Sequence, residues 1–545
     1  MNKNFIFKNI VPITILFSFL LSACSSSIDF FEVKHEEAQL FISKNKETSG
    51  AIIKPESVEL EFTLSSLYKS DKHLLKRNLI SSENRNPKML VVPLHFKDSK
   101  EVTNAYEKIA LKNNIEAVFN GDEKTTGYES VKTYYQKSSF NNVNFDIVLS
   151  DYYDTNVSSN TIKNKDDVVR LCSNALKNIT IKNEKPSKND FDQDGDGFID
   201  SLFFIYDVHN YQRDSSINDV FWAFTYTKDF PTLSDNQLNF STFSFASYDF
   251  MEKGENSELK LDARTYIHEL GHQFGLEDYY DYAKDSSPTT YLSMMDSSLF
   301  DFEYYSKMIM GWTKPYIVYG EATINENELL ASNSPVVVLD DDTIIKIKGD
   351  KYVFNPFNEY LIIDYFDFDN DLIKHDMTYG NKNIGFVEDY FIQKSGYRIY
   401  HVDNRLFEVS NSATNSFYNL LDTNSYLLKC IKNTTSTISP NSETQYMKTY
   451  GLSSNFPYNI NALNELTLIA KKTEQINQYS SLYIKKEIND DYSVTSSLMK
   501  INEDYLFYSG DTFDIKNYYP YFLNGNREKV LFDNQKTMKT KIIFE

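Results

Sequence analysis

The sequence predicts an α/β core over residues 86–320 followed by a β-rich, sandwich-like half, and three observations carry that prediction. Between Met89 and Val208, short apolar runs with the character of buried strands alternate with stretches of helical periodicity. Beyond Pro315 that periodicity fades and short alternating strands take over. The composition, 41% hydrophobic and 24% charged over 545 residues, supports a large core and about three domains, and excludes a mostly disordered chain.

Taken in order, Met89–Phe96 (MLVVPLHF) reads as a buried strand, and Val102–Leu111 and Ser130–Gln136 as short helices. Val143–Leu149 alternates as a strand, and Asp166–Ile179 places Val168, Val169, Leu171 and Leu176 at helical spacing. Lys182–Asp190 is a polar loop, and Ile199–Val208 (IDSLFFIYDV) is a second buried strand. In the β-rich half, Thr343–Lys348, Tyr360–Phe366 and Tyr397–Val402 read as strands, and the Ser/Thr/Asn-rich stretch Asn433–Thr444 marks a boundary. The expected division is a leader over 1–23, a tether and N-terminal segment over 24–85, and the core over 86–320. A β-rich region packed on the core over 321–432 and a C-terminal β-rich domain over 433–545 complete it.

The leader carries Lys3 and Lys8, an apolar stretch over 10–21 and Leu21-Ser22-Ala23-Cys24. Small residues before a cleavage point followed by Cys24 resemble a bacterial lipobox. The resemblance implies cleavage before Cys24, lipidation of its thiol and anchoring at the extracellular face of the cell membrane. Loss of Lys3 and Lys8 takes the net charge from −21 to −23 (−21 − 2). The acidity excludes a nucleic-acid partner, which needs a basic footprint. No other segment is apolar enough to span a bilayer, so the membrane is met through the anchor alone. Cys172 and Cys430 read as buried thiols rather than a disulfide framework.

The chemistry is concentrated in Thr265–Asp281, TYIHELGHQFGLEDYYD. On a helix, His268 and His272 are one turn apart and share a face, so both imidazoles reach one metal ion. Glu269 stands beside the first of them, placed to take a proton from a water that zinc acidifies to a pKa of about 7. Gly275 can end the helix at positive φ and turn the chain back to present Asp278 as a third ligand. Glu277 and Asp281 are the competing third ligands. Three protein ligands leave the fourth position open, as a catalytic zinc requires. Further on, Leu292-Ser293-Met294-Met295-Asp296 offers Met295 for a methionine turn beneath the metal, with Met294 as the alternative.

HExxHxxGxxD with a downstream methionine resembles the metzincin pattern with Asp as third ligand. Across residues 86–405 the chain resembles the immune inhibitor A-like zinc metallopeptidases, peptidase family M-six. The likeness includes Tyr134-Tyr135-Gln136-Lys137-Ser138-Ser139-Phe140, Asp192–Asp200, Trp222-Ala223-Phe224 and Ser247-Tyr248-Asp249-Phe250. It extends through Ser306–Trp312 and Gly396–Arg405. The resemblance implies a secreted, metzincin-like zinc endopeptidase acting on proteins or peptides, with Glu269 as general base. Ser297–Phe302 is bulkier than the family's more glycine-rich stretch. Ser297 also stands where some metzincins carry a tyrosine, which leaves Tyr304 or Tyr305 to stabilise the oxyanion. His401 and Asp403 lie on one strand and read as a structural pair.

Asp190–Asp200 packs five carboxylates into eleven residues. Like charges so close repel unless a hard cation neutralises them, and calcium with oxygen ligands from Asp192, Asp194, Asp196 and Asp200 is the natural candidate. Phe203 stands where an EF-hand needs its bidentate Glu, so an ordinary EF-hand is excluded. Two other readings stand beside the peptidase: an adhesion or binding lipoprotein on a degenerate protease scaffold, and a metal-dependent deamidase or esterase.

Overall fold

The computed structural model describes residues 39–40, 51–70, 79–209, 220–228, 238–251, 261–279, 293–319, 321–324, 331–339, 345–375, 395–403, 428–430, 483–488, 494–499, 512–514 and 541–544. Cys24, Asp281 and the 433–444 boundary lie outside them. The architecture is mixed α/β, with several sheets that combine parallel and antiparallel pairs.

The central sheet is built from β1 (Lys88–His95), β2 (Asp146–Leu149), β3 (Ser201–Tyr206), β4 (Phe224–Thr227) and β5 (Thr242–Ser247), in the order β2-β1-β3-β5-β4. The first four of that order run parallel, and β4 is antiparallel at the edge. β3 and β5 are buried at every position, β3 with the apolar run Leu202–Ile205 and β5 with Phe243 and Phe245 alternating with small polar residues such as Ser244, which bonds Gln273. Pro93 sits inside β1 without costing a ladder bond. The β1 groups on its side, such as the Val91 carbonyl, face β2, whose pairing stops at Val91 before Tyr153–Asp154 joins at Leu94.

Helices cover both faces. On one lies α3 (Lys165–Asn178), with Val168, Leu171, Cys172, Ala175 and Leu176 packed on Leu90, Leu202, Phe204 and Phe245. On the other lie α1 (Ala105–Asn120), α2 (Val131–Ser138) and α4 (Arg264–Gln273), packed on Met89, Val91, Phe203 and Ile205. The helix expected over 102–111 starts at Ala105, because the Asn104 side chain accepts from the amides of Tyr106 and Glu107. It runs on to Asn120, burying Leu111, Ile115, Val118 and Phe119 on one stripe. The helix and strand expectations at 89–96, 130–136, 143–149, 166–179 and 199–208 all fall on observed elements, within three residues at each end.

After α5 (Met294–Ser297) and α6 (Tyr304–Ile309), the chain enters a second sheet at Tyr316–Tyr319, with Val336–Val338, Glu359–Phe366, Gly396–Asp403 and Leu428–Cys430 beside it. Its far edge is Ala51–Ile53, and Val58–Leu60 pairs with Lys351–Phe354. Part of the segment expected as a tether is thus built into the β-rich half. Lys541–Phe544 pairs with Glu321–Ile324, and Tyr483–Ile488 with Val494–Met499. No helix among the described residues is long and apolar enough to cross a membrane.

Candidate metal centre

α4 runs along the sheet and is held there by one buried glutamine. Gln273 Nε2 donates to the Leu202 carbonyl (2.9 Å) and lies 2.7 Å from Ser244 Oγ. Its Oε1 accepts from Ser201 Oγ at 2.8 Å and the Leu202 amide at 3.3 Å. From behind, the Tyr135 hydroxyl donates to the Ile267 carbonyl at 2.8 Å, and its ring stacks on Phe274. Tyr134 donates to the Phe300 carbonyl, and Ser138 to Asp301. The tyrosine–serine segment therefore ties the helix to the chain at Phe300 and Asp301.

The two imidazoles lie with ring centres 5.0 Å apart. His268 Nδ1 donates to the Met294 carbonyl and His272 Nδ1 to the Leu276 carbonyl, each at 2.8 Å. A carbonyl only accepts, so both Nδ1 atoms carry hydrogen and the Nε2 atoms are the ones free to ligate. Both Nε2 atoms face one oxygen, Asp278 Oδ1, at 2.7 Å from His268 and 3.5 Å from His272. Asp278 gets there because Gly275 takes φ +96° after the last turn of α4, as the sequence predicts. A β-carbon at 275 would meet Leu79 at 2.9 Å.

This donor set fits a zinc ion. Bonds of 2.0–2.1 Å in tetrahedral geometry put ligand atoms about 3.3 Å apart. The 3.5 Å pair already meets that, and the 2.7 Å pair opens by about 0.6 Å. Burial disfavours the His272 cation, yet Asp278 and Glu269 outweigh it and push its pKa up to about 10. Burial also works against the Asp278 carboxylate, but His272 and His268 hold it well below the usual range. The two carboxylates thus favour a positive charge beside them, at the His272 imidazole.

Glu269 is buried beside the imidazoles, its carboxylate within 4.8 Å of their nitrogens. The Thr225 hydroxyl on edge strand β4 lies 3.0 Å from Glu269 Oε2 and 2.7 Å from its carbonyl oxygen. Burial raises the Glu269 pKa against the lowering effect of the two histidines. Beneath the helix, Met295 is fully buried and the Tyr279 amide donates to its carbonyl at 2.8 Å. The Met294 carbonyl accepts from His268 Nδ1, and the Met295 side chain packs against Gly271 of α4.

Thr225, Gln273 and Gly271 escaped the sequence reading. Only Gly271 left a signal, a glycine in the interior of a helix. The Tyr304 ring packs at a tilt against Phe140, and Tyr305 is buried beside Tyr279. The backbones of His401 and Asp403 pair with Leu361 and Glu359, and their side chains lie outside the described set.

The acidic loop brings Asp192, Asp194 and Asp200 together, with one oxygen of each within 4.8 Å of the others. Asp192 Oδ1 is buried without a hydrogen-bond partner among the described residues, while Oδ2 accepts from the Gly197 amide. Asp196 points to the Phe198 amide instead, and burial pushes its pKa up to about 6. Lys69 offsets part of the charge with a 3.0 Å ion pair to Asp194.

In comparisons with known proteins, no protein-family model matches the chain, and no curated sequence matches it significantly.

Proposed function

We propose that the chain is a zinc-dependent endopeptidase with a metzincin-like catalytic domain, anchored by lipid at Cys24 on the extracellular face of the cell membrane. The observation that carries this reading is the convergence of both Nε2 atoms on Asp278 Oδ1, with Glu269 alongside and bound to Thr225. When bound, zinc supplies a Lewis acid that polarises a carbonyl and acidifies water. His268, His272 and Asp278 would hold it.

The chain's own residues supply the rest. Glu269 takes the proton of the attacking water and returns it to the leaving amine. Its raised pKa brings it nearer to neutral pH, which suits a group that must both accept and donate. Thr225 fixes the orientation of that carboxylate. Among the described residues β4 pairs only with β5, so its outer backbone groups can receive a peptide as an added strand directly beside Glu269. A scaffold that only binds has no use for a buried carboxylate held at this point. The acidic loop is assigned a structural calcium on Asp192, Asp194 and Asp200, because Asp192 Oδ1 needs a partner.

The test is cleavage of a mixed peptide library by the purified protein, with zinc, with chelator, and as Glu269→Gln. Cleavage should need zinc and fall by at least ~100-fold in Glu269→Gln. Equal turnover in wild type and Glu269→Gln would overturn the reading. Fatty-acid labelling of wild type and Cys24→Ser tests the anchor, and equal labelling would sink it.

A further inference from the structure

The metal helix covers only one face of β4. Side chains alternate along a strand, so Thr225 points to Glu269 while Phe224 and Tyr226 point to the α3 face, packed against the core there. Over those two rings lies Lys165, the first residue of α3, its ammonium 5.0 Å from the centre of Phe224 and 5.3 Å from that of Tyr226. Just past the strand, the Lys228 ammonium sits 3.5 Å from the centre of Phe240.

Neither ammonium has a carboxylate within ion-pair distance among the described residues. Asp167, in the same helical turn as Lys165, is taken up by Arg170 at 2.5 Å. The first turn of a helix favours anions, so Lys165 gains nothing from its own helix there. Aromatic faces hold a cation but leave its hydrogen-bond donors unused. In a chain of net charge −21, these two lysines stand beside the strand that forms the edge of the sheet among the described residues. Lys165 is exposed; the packing around it lowers its pKa and Glu269 opposes that. Burial brings Lys228 down to about 8. Both ammonium groups would be relieved by a carboxylate.

We propose that Lys165 and Lys228 select substrates with acidic side chains at the alternate positions that face α3 when a peptide adds to β4. The proposal rests on the peptidase reading for the docking geometry, and it names the substrate class: acidic, extended peptide. A carboxylate there would form charge-assisted hydrogen bonds in a site that Phe224, Tyr226 and Phe240 partly dry.

The test measures binding separately from cleavage. Full-chain Glu269→Gln, zinc-loaded, is titrated with a labelled peptide carrying Glu at alternate positions, and with its Gln and Lys counterparts. The Glu peptide should bind at least about 10-fold tighter than the Gln peptide. Lys165→Gln with Lys228→Gln should reduce that ratio below about 2-fold, with thermal unfolding confirming that the protein folds. Lys165→Glu alone should shift preference toward the Lys peptide, which guards against misfolding of the double variant. Equal binding of the Glu and Gln peptides, or an undiminished ratio in the double variant, overturns the proposal. If the wild type still cleaves the Gln peptide in that case, the peptidase reading survives. If instead the binding preference holds but zinc-loaded wild type cleaves none of the peptides, the peptidase reading fails and the acidic docking face stands.

Discussion

The sulfur of Met295 fills the space that a side chain at Gly271 would need: a β-carbon there would lie 2.5 Å from Met295 Sδ. Gly271 sits between His268 and His272, so the methionine supports the helix directly beneath the two imidazoles. Both residues are buried, and Phe302 closes the pocket from behind at 3.5 Å. Gly271→Ala should therefore cost about 1–3 kcal/mol through overpacking, despite the better helix propensity of Ala. In a Met295→Ala background the same change should turn stabilising by about 0.5–1 kcal/mol, since only propensity remains. Denaturant unfolding of the four proteins measures this, and the same sign in both backgrounds would refute the contact.

Metal content separates the roles of the carboxylates. The protein should hold about one zinc per chain, and His268→Ala or His272→Ala should lose it. Glu269→Gln should keep zinc. Asp278→Ala should bind it more weakly and recover part of its activity with added zinc, whereas Glu269→Gln recovers none. Elemental analysis after dialysis checks this, and full zinc retention in Asp278→Ala would return the third position to Glu277 or Asp281.

Gln273 bridges α4 to β3 and β5 with bonds to Ser201, Leu202 and Ser244. Gln273→Leu keeps the volume and strands several buried polar groups, so it should cost about 3 kcal/mol. A loss in thermal unfolding of less than about 1 kcal/mol would contradict that role.

His209 lies between two carboxylates, Nδ1 at 2.5 Å from Asp249 and Nε2 at 2.8 Å from Glu101, with the Tyr248 hydroxyl about as close. Burial lowers its pKa, but Glu101 and Asp249 outweigh this and raise it above 6.5. A raised folded pKa stabilises fully below the unfolded value and loses that contribution as pH climbs through the folded one. His209→Gln should thus cost about 1–2 kcal/mol near pH 6 and much less at pH 9. A pH-independent cost would show that charge plays no part.

Calcium should raise the unfolding temperature of the full chain, with a stabilisation of about 2.7 kcal/mol at one hundred times its dissociation constant. Asp192→Asn removes the carboxylate whose oxygen has no partner, and should abolish most of that effect. Magnesium at equal concentration should do less, since it demands near-ideal octahedral geometry and gives up its water reluctantly. No calcium response in wild type would make the loop a solvated turn.

What the sequence by itself determined is the local chemistry. Helical spacing alone places His268 and His272 on one face, and Gly275 alone supplies the positive φ that turns the chain back. The runs at 89–96 and 199–208 declared buried strands because a doubly covered strand is dominated by apolar residues. Tertiary structure decided the rest. Glu277 and Asp278 are adjacent, and only the path of the turn shows which carboxylate meets both imidazoles. Thr225 reaches Glu269, and Gln273 reaches Leu202, across 44 and 71 residues respectively. Those contacts follow from the order β2-β1-β3-β5-β4 and from β4 running against its neighbour. Strand order and direction emerge from how the helices cover the sheet, and no local pattern of residues encodes them.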